Sequence, residues 1–375
     1  MYEFALLALP LLRACAPSRA KSRAGEGRIR PLRLACGTLV LLLPWLWLHT
    51  MFANPPKYPF SRRGLPVGIS RFLNHVGASG RVLNFPSTGG YLEWTLYPQC
   101  KIFVDLDAPF FFTDDDVFTS KHMYRDPDVL RKVLATYQPA FLSVPITLRD
   151  FPQVIRNFPR YVPVFFDDAE VLYVDERHDP SIAARYRLRA LDPYVLFEQG
   201  PSPLLRRADR SAMLSEATRL LEIDAEGLLT HQLLSVMSLE EGAYDRALSH
   251  ATAIIKEFPE LAVGYGLQAD ALQQVGTFER AIASYRLALR RASPGHEAEI
   301  YRQMGYTYMA AGQYQRAYSV LRKGVDPFAP EVSYGELYRL AESALHSGHV
   351  REAAVLFTFA RAKAPAAGAG RSPSQ

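Results

Sequence analysis

Four stretches in the second half of the chain repeat one pattern. Each starts with a glycine, at Gly242, Gly276, Gly312 and Gly348, so the spacings are 34, 36 and 36 residues. An aromatic or apolar residue follows after two positions (Tyr244, Phe278, Tyr314, Val350), and an alanine follows three positions later (Ala247, Ala281, Ala317, Ala353). Glycine can end one helix and alanine lets two helices approach closely, so this period predicts stacked helix pairs.

The pattern resembles the tetratricopeptide (TPR) repeat over about residues 228–365. The third unit matches best at its first-helix positions, which hold Tyr301, Met304, Gly305 and Tyr308. In the first unit, His231 and Ser235 replace the usual aromatic residue and glycine, so that helix is the weakest match. Residues 215–227 resemble an isolated second helix that could cap the array. The alternative is an irregular helical bundle.

The resemblance implies a partner-binding groove lined by the first helix of each unit. Its outward positions, which we predict to contact a protein partner, are Asp270, Gln273, Glu299, Arg302, Tyr306, Tyr338 and Glu342. Tyrosine and arginine are frequent at binding hot spots, although the tyrosines could instead pack between repeats. The groove has no lysine cluster to capture a free C-terminal carboxylate. We therefore predict an extended or helical partner segment with apolar and basic groups.

An uncharged run over residues 34–52 is close to the roughly 20 residues that cross a bilayer, and it predicts one transmembrane helix. Basic residues dominate segment 1–33, which also holds a short apolar stretch, so we predict that this segment is cytoplasmic. The later domains would then be extracytoplasmic, in a single-pass protein of the bacterial inner membrane. A buried soluble helix and a signal peptide are the competing interpretations. The positive charge is concentrated here, so we predict no nucleic-acid partner.

The middle of the chain predicts a small, mainly parallel α/β sheet domain over residues 65–200, after a Pro-rich linker at 53–64. Its strand-like runs are RVLNF, KIFVDL, AFLSVP, YVPVFF and AEVLYVD, and helical patterns separate the first four. The last two runs are too close for a crossover helix and predict an antiparallel hairpin. The fold class is thus α/β plus all-α, with TPR-like helices over 201–365 and a disordered tail at 366–375.

The stretch from Arg81 to Asp116 carries motifs that imitate an active site. Its Ser-Thr-Gly-Gly loop could hold a phosphate, but no P-loop lysine follows it. The FVDLD run resembles a haloacid-dehalogenase-type phosphatase, with Asp105 as nucleophile and Asp107 as acid/base. That chemistry also needs a lysine, which residues 144–166 lack. Three acids at 114–116 could bind a cation, but they also suit a helix start, and we predict no metal and no cofactor.

The same region resembles the extracytoplasmic C-terminal domain of bacterial membrane glycosyltransferases that use lipid-linked sugars. The matching positions are Gly89, Gly90, Tyr91, Leu92, Trp94, Pro98, Asp105, Asp168, Val171 and Tyr173. In that family the catalytic acids lie between membrane helices upstream of this domain, so the resemblance implies a scaffold without catalytic residues here. We predict a membrane-anchored interaction scaffold rather than an enzyme. The alternative is the accessory end of such a glycosyltransferase, from a longer multi-span protein.

Overall fold

The structure is a computed structural model that describes residues 64–105, 113–206 and 209–364. The chain from Leu65 onward belongs to one compact unit. The predicted span at 34–52, the basic segment before it, nearly all of the linker and the tail at 366–375 lie outside the described residues. Within the described ranges, no helix combines the length and apolar character that crossing a membrane requires.

The first part of this unit contains five strands and several short helices. In chain order they are α1 (Val67–His75), β1 (Gly80–Leu83), α2 (Gly89–Leu96), β2 (Cys100–Ile102), α3 (Asp114–His122), α4 (Pro127–Tyr137), β3 (Phe141–Pro145), α5 (Phe151–Ile155), β4 (Tyr161–Phe166), β5 (Glu170–Asp175), α6 (Pro180–Tyr186), α7 (Pro193–Gln199) and α8 (Ser202–Leu205). A 3-10 turn at Pro86–Thr88 precedes α2.

The five strands form one mixed sheet in the order β2-β1-β3-β5-β4. The ladders of β1 with β2 and with β3 are parallel, whereas β5 pairs antiparallel with both β3 and β4. All five predicted strands and the terminal hairpin are therefore confirmed. The term "mainly parallel" needs correction, because the hairpin places its returning strand, β5, between β3 and β4 and makes half of the ladders antiparallel.

Asp-Pro pairs start three of the helices in this part. Asp126, Asp179 and Asp192 each precede a proline, and each side chain accepts hydrogen bonds from backbone N–H groups in the first turn of α4, α6 and α7. Proline suits the first helical position because its missing N–H would be unpaired there anyway. The sequence pattern predicts a longer helix over residues 148–158. The structure has only α5, because Leu148 and Arg149 form tight backbone turns with Pro145 and Thr147.

The second part is the helical array. A single helix, α9 (Arg210–Ile223), precedes four pairs: α10 (Leu228–Glu240) with α11 (Tyr244–Glu257), α12 (Ala262–Gln274) with α13 (Phe278–Leu289), α14 (Glu297–Ala310) with α15 (Tyr314–Gly324), and α16 (Tyr334–His346) with α17 (Val350–Ala362). The four repeat glycines have φ between +71° and +85°, and the four repeat alanines are at most 1% exposed. The tetratricopeptide-type solenoid is thus confirmed.

The first helix pair forms despite its atypical residues. The Nδ1 atoms of His231 and His250 lie 2.9 Å apart, and His231 Nε2 donates to the carbonyl of Ala225 at 3.0 Å. The contact between the two Nδ1 atoms suits two neutral rings when His250 donates and His231 accepts. Burial, His231 and Arg246 lower the pKa of His250 to about 4, which keeps it neutral near pH 7. Ser235 is fully buried and donates to the carbonyl of Ala247.

The sheet and the start of the array share one apolar core. The largest cluster of buried side chains extends from Ile69 in α1 to Met237 in α10, on both sides of residue 201. Smaller clusters continue between the later pairs. Arg71 in α1 also forms ion pairs with Asp224 and Glu226 in the turn before α10, at 2.5 Å and 2.9 Å. The array is therefore packed directly onto the sheet.

Candidate functional site

The Ser-Thr-Gly-Gly loop brings two backbone segments into close approach. A Cβ atom on Gly89 would lie 2.1 Å from the carbonyl oxygen of Val104 and 2.8 Å from Asp105 Cα. Asn84 holds that segment, since its Nδ2 donates to the Val104 carbonyl at 2.7 Å and its Oδ1 accepts from Phe103 N at 2.9 Å. The chain after β2 therefore lies against the start of α2, where a phosphate would have to bind. Glycine is required here for backbone packing.

Asp167 and Asp168, in the turn between β4 and β5, serve two helix starts. Asp167 Oδ2 accepts from Ile69 N in α1 at 3.0 Å, and Asp168 accepts from Leu228 N and Leu229 N in α10 at 3.0 Å and 2.9 Å. Neither α1 nor α10 has a capping side chain of its own. Burial raises the pKa of Asp168 to about 6, although these backbone hydrogen bonds lower it. Both acids replace missing helix caps.

Glu170 lies in the centre of a buried polar cluster. Ser143 Oγ donates to one of its oxygens, and Thr88 Oγ1 lies 2.7 Å from the other and 3.0 Å from the carbonyl of Phe85. The threonine has one hydrogen for two acceptors, so a protonated Glu170 satisfies the cluster by donating to Thr88. Burial raises the pKa of Glu170 to about 7. This network ties the Ser-Thr-Gly-Gly loop to β3 and β5.

The run of three acids begins α3. Thr113 and Asp116 form a capping box, and the backbone and side-chain hydrogen bonds from Thr113 lower the pKa of Asp116. Among the described residues, no three histidine, cysteine or acidic side chains come together as metal ligands. Asp107 lies outside the described residues. Asp116, Asp167, Asp168 and Glu170 thus have structural roles within the fold.

The groove side of the array is a stronger candidate for a functional site than the acids at the sheet. The first helices α10, α12 and α14 contact one another in succession, as expected for the inner face of a solenoid. All seven predicted partner-binding residues lie on α12, α14 or α16, and none is fully buried. The contacts among them divide into three groups.

Arg302 is the centre of the first group. Its Nε lies 2.9 Å from Glu299 within α14 and 3.2 Å from Glu336 in α16, and its Nη1 donates to the carbonyl of Gly324 in α15 at 3.0 Å. One guanidinium therefore joins three helices of two successive units. Only a quarter of the Arg302 side chain is exposed. Its role is partly structural, which the sequence pattern did not indicate.

The second group is a polar network at the base of the groove. The hydroxyl of Tyr285 in α13 donates to Asp270 at 2.5 Å, and Thr307 Oγ1 in α14 lies 2.6 Å from Gln273 Oε1. Burial raises the pKa of Asp270 to about 6, the Tyr285 hydrogen bond lowers it, and the nearby Glu299 carboxylate raises it. Asp270 and Gln273 thus contribute to contacts between helices and also face the groove in part.

The third group is aromatic. The Arg339 guanidinium lies 4.2 Å from the ring centre of Tyr306, while Tyr338 contacts Tyr334 and Phe357 with ring centres 5.8 Å and 5.4 Å apart. Tyr338 remains 43% exposed. Sequence reasoning missed Glu336, Arg339 and Tyr285. The Ser333-x-x-Glu336 capping box was visible as a helix start, but its contact with Arg302 was not.

Comparisons with known proteins found relatives of the repeat type. No family model matches the sequence. Anaphase-promoting complex subunit 7 of Arabidopsis thaliana is 24% identical over 178 residues, which are 47% of this chain and 31% of that protein. The match therefore spans about a third of that relative.

Three solved structures resemble parts of the chain. TTC0263, a thermophilic TPR protein of Thermus thermophilus, has 22% identity and a TM-score of 0.35, over 42% of this chain and 84% of its own. MamA has 16% identity and a TM-score of 0.35, over 46% and 95%. YrrB, described as a TPR protein with an unusual peptide-binding site, has 15% identity and a TM-score of 0.35, over 40% and 75%.

Proposed function

We propose that this protein is a scaffold that binds a segment of a partner protein along the first helices of its array. The observation that supports this most is the ordered groove surface. Arg302 links successive units, and charged and aromatic side chains stand beside it on α12, α14 and α16. A surface whose side chains are already held in place loses little conformational entropy when a partner binds.

Truncating the exposed groove residues should abolish capture of the partner. Arg302 is unsuitable for this test because its removal would break contacts between units. Tyr338→Ala with Glu342→Ala removes large contact area and a charge from α16, and we expect a loss of binding of at least about tenfold. The measurement is recovery of partners from solubilised membranes by the tagged protein. Val355→Ala with Glu279→Ala, at exposed positions of the second helices, is the matched control. If the α16 variant and the control variant recover the same partners in equal amounts, at unchanged melting temperatures, binding in the groove is refuted.

We further propose that residues 34–52 anchor the scaffold in a bacterial inner membrane, with the array extracytoplasmic. The support is the uncharged run itself and the arginine-rich segment before it. A reporter enzyme that is active only outside the cytoplasm, fused after Gln375, should be active. In a variant whose basic residues in segment 1–33 are replaced by glutamine, the chain should insert in both orientations. The reporter activity of the same fusion should then fall. Activity of a cytoplasm-only reporter at Gln375 would contradict this topology.

The alternative, an accessory part of a lipid-linked-sugar glycosyltransferase, rests on the resemblance over residues 81–175. Several of the residues that carry this resemblance, Gly89 and Asp168 among them, make contacts within the fold. Sugar transfer by the purified protein from a polyprenyl-phosphate donor, abolished by Asp105→Asn, would favour this alternative over the scaffold.

A further inference from the structure

We infer that the segment bound in the groove is basic, with a lysine or arginine side chain directed at Asp270 and Glu299, and that it also carries an apolar side chain for Tyr338. This inference rests on the proposed function and adds the chemical class of the partner. The charges and contacts of α12, α14 and α16 carry it.

The groove has an excess of negative charge. Its ionisable set comprises four carboxylates (Asp270, Glu299, Glu336, Glu342) and two guanidinium groups (Arg302, Arg339), a net charge of −2 when all are ionised. Both arginines already have partners within the fold. Arg302 is bound by Glu299, Glu336 and the Gly324 carbonyl, and Arg339 lies on the ring of Tyr306. An acidic partner segment would add to this excess of negative charge, whereas a basic segment would complement it.

Asp270 is the carboxylate in this set that we expect to bind the basic side chain of the partner. It accepts a hydrogen bond from Tyr285 on one side and is repelled by Glu299 from the next unit. Within the described part of the chain Asp270 has no ion-pair partner, whereas Glu299 is already paired with Arg302. A lysine or arginine side chain between the two carboxylates would remove the repulsion. Such charge-assisted hydrogen bonds are roughly twice as strong as neutral ones.

The apolar part of the partner has a surface farther along the array, on α16. Tyr338 and Tyr334 are 43% and 40% exposed, and Leu345 at the end of the same helix is 43% exposed. Contacts with Tyr334 and Phe357 fix the Tyr338 ring in place. An aliphatic or aromatic side chain elsewhere in the same segment would cover this ring.

The decisive experiment is selection of random peptides displayed on phage. The full-length protein in detergent is the target, and phage that still bind the Tyr338→Ala, Glu342→Ala variant are discarded. We expect both a lysine or arginine and an apolar residue in the remaining peptides. Groove-dependent peptides that are acidic or uncharged would overturn this inference and leave the scaffold function standing. Failure to obtain any groove-dependent peptide would count against both.

The pH dependence of binding tests the role of Asp270. A bound cation favours the ionised carboxylate, so binding of a selected peptide should be about tenfold weaker at pH 5 than at pH 7. Asp270→Asn keeps the shape and can still accept from Tyr285, but it should weaken binding at pH 7 about tenfold and abolish the pH dependence. Glu279→Gln, an exposed acid on α13, is the control and should behave as wild type. An Asp270→Asn variant that binds as tightly as wild type at both pH values would refute the assignment.

Discussion

Gly89→Ala is expected to destabilise the protein by about 3 kcal/mol or more, a large effect for one methyl group. The new Cβ would lie 2.1 Å from a backbone oxygen, that of Val104, which cannot move like the end of a flexible side chain. Either α2 shifts or the chain after β2 separates from Asn84, whose amide then loses its buried partners. Chemical denaturation followed by circular dichroism measures the effect.

The matched control for this variant is Gly266→Ala. Gly266 lies within α12, and no atom lies within 4 Å of the Cβ that alanine would add. Alanine in a helix is favoured over glycine by roughly 0.5–1 kcal/mol, so this variant should be slightly more stable than wild type. The prediction fails if Gly89→Ala unfolds at the same denaturant concentration as wild type.

Glu170→Gln should make the protein more stable above neutral pH. The folded state holds the Glu170 proton up to a pKa of about 7, whereas an unfolded glutamate loses its proton near its usual value of 4.5. The stability due to this group is therefore complete below pH 4.5 and is lost as the pH rises to 7, in total about 3 kcal/mol. Glutamine reproduces the neutral acid, because its amide can donate to Thr88 and its oxygen can accept from Ser143.

The measurement is the unfolding free energy of wild type and variant from about pH 4.5 to 8. The two should agree at the acid end, and the variant should gain about 3 kcal/mol by pH 8. Glu216→Gln is the contrasting control. Glu216 accepts only from backbone N–H groups, those of Arg189, Ala190 and Leu191, so an amide NH2 there would face donors and destabilise the fold. Parallel curves for wild type and Glu170→Gln would show that Glu170 is already ionised when buried.

The repeat array was predictable from sequence because its determinants are local. A glycine with positive φ and an alanine at a helix crossing impose the same requirement in every unit, so the period is visible without knowledge of the packing. The strands were also predictable, since their buried faces are β-branched and aromatic. Helix α1 was missed because its start at Val67 follows a proline and has no capping side chain of its own.

The roles of the acids were not predictable in the same way. Asp167 accepts from Ile69, which lies 98 positions away, and Asp168 accepts from Leu228, which lies 60 positions away. Sequence periodicity cannot reveal these hydrogen bonds, because only folding brings a helix that lacks its own cap next to a distant turn. The same applies to Arg302, which the repeat pattern places on the surface and which contacts the capping residue of the next unit, Glu336.

The two hydrogen bonds that Asp168 accepts from the start of α10 also fix the array to the sheet. Because α10 begins on the turn of the β4–β5 hairpin, the first helix pair of the array is attached directly to the sheet. The ion pairs of Arg71 with Asp224 and Glu226 stabilise the same junction between the two parts. A partner bound in the groove would therefore keep a fixed orientation relative to the sheet.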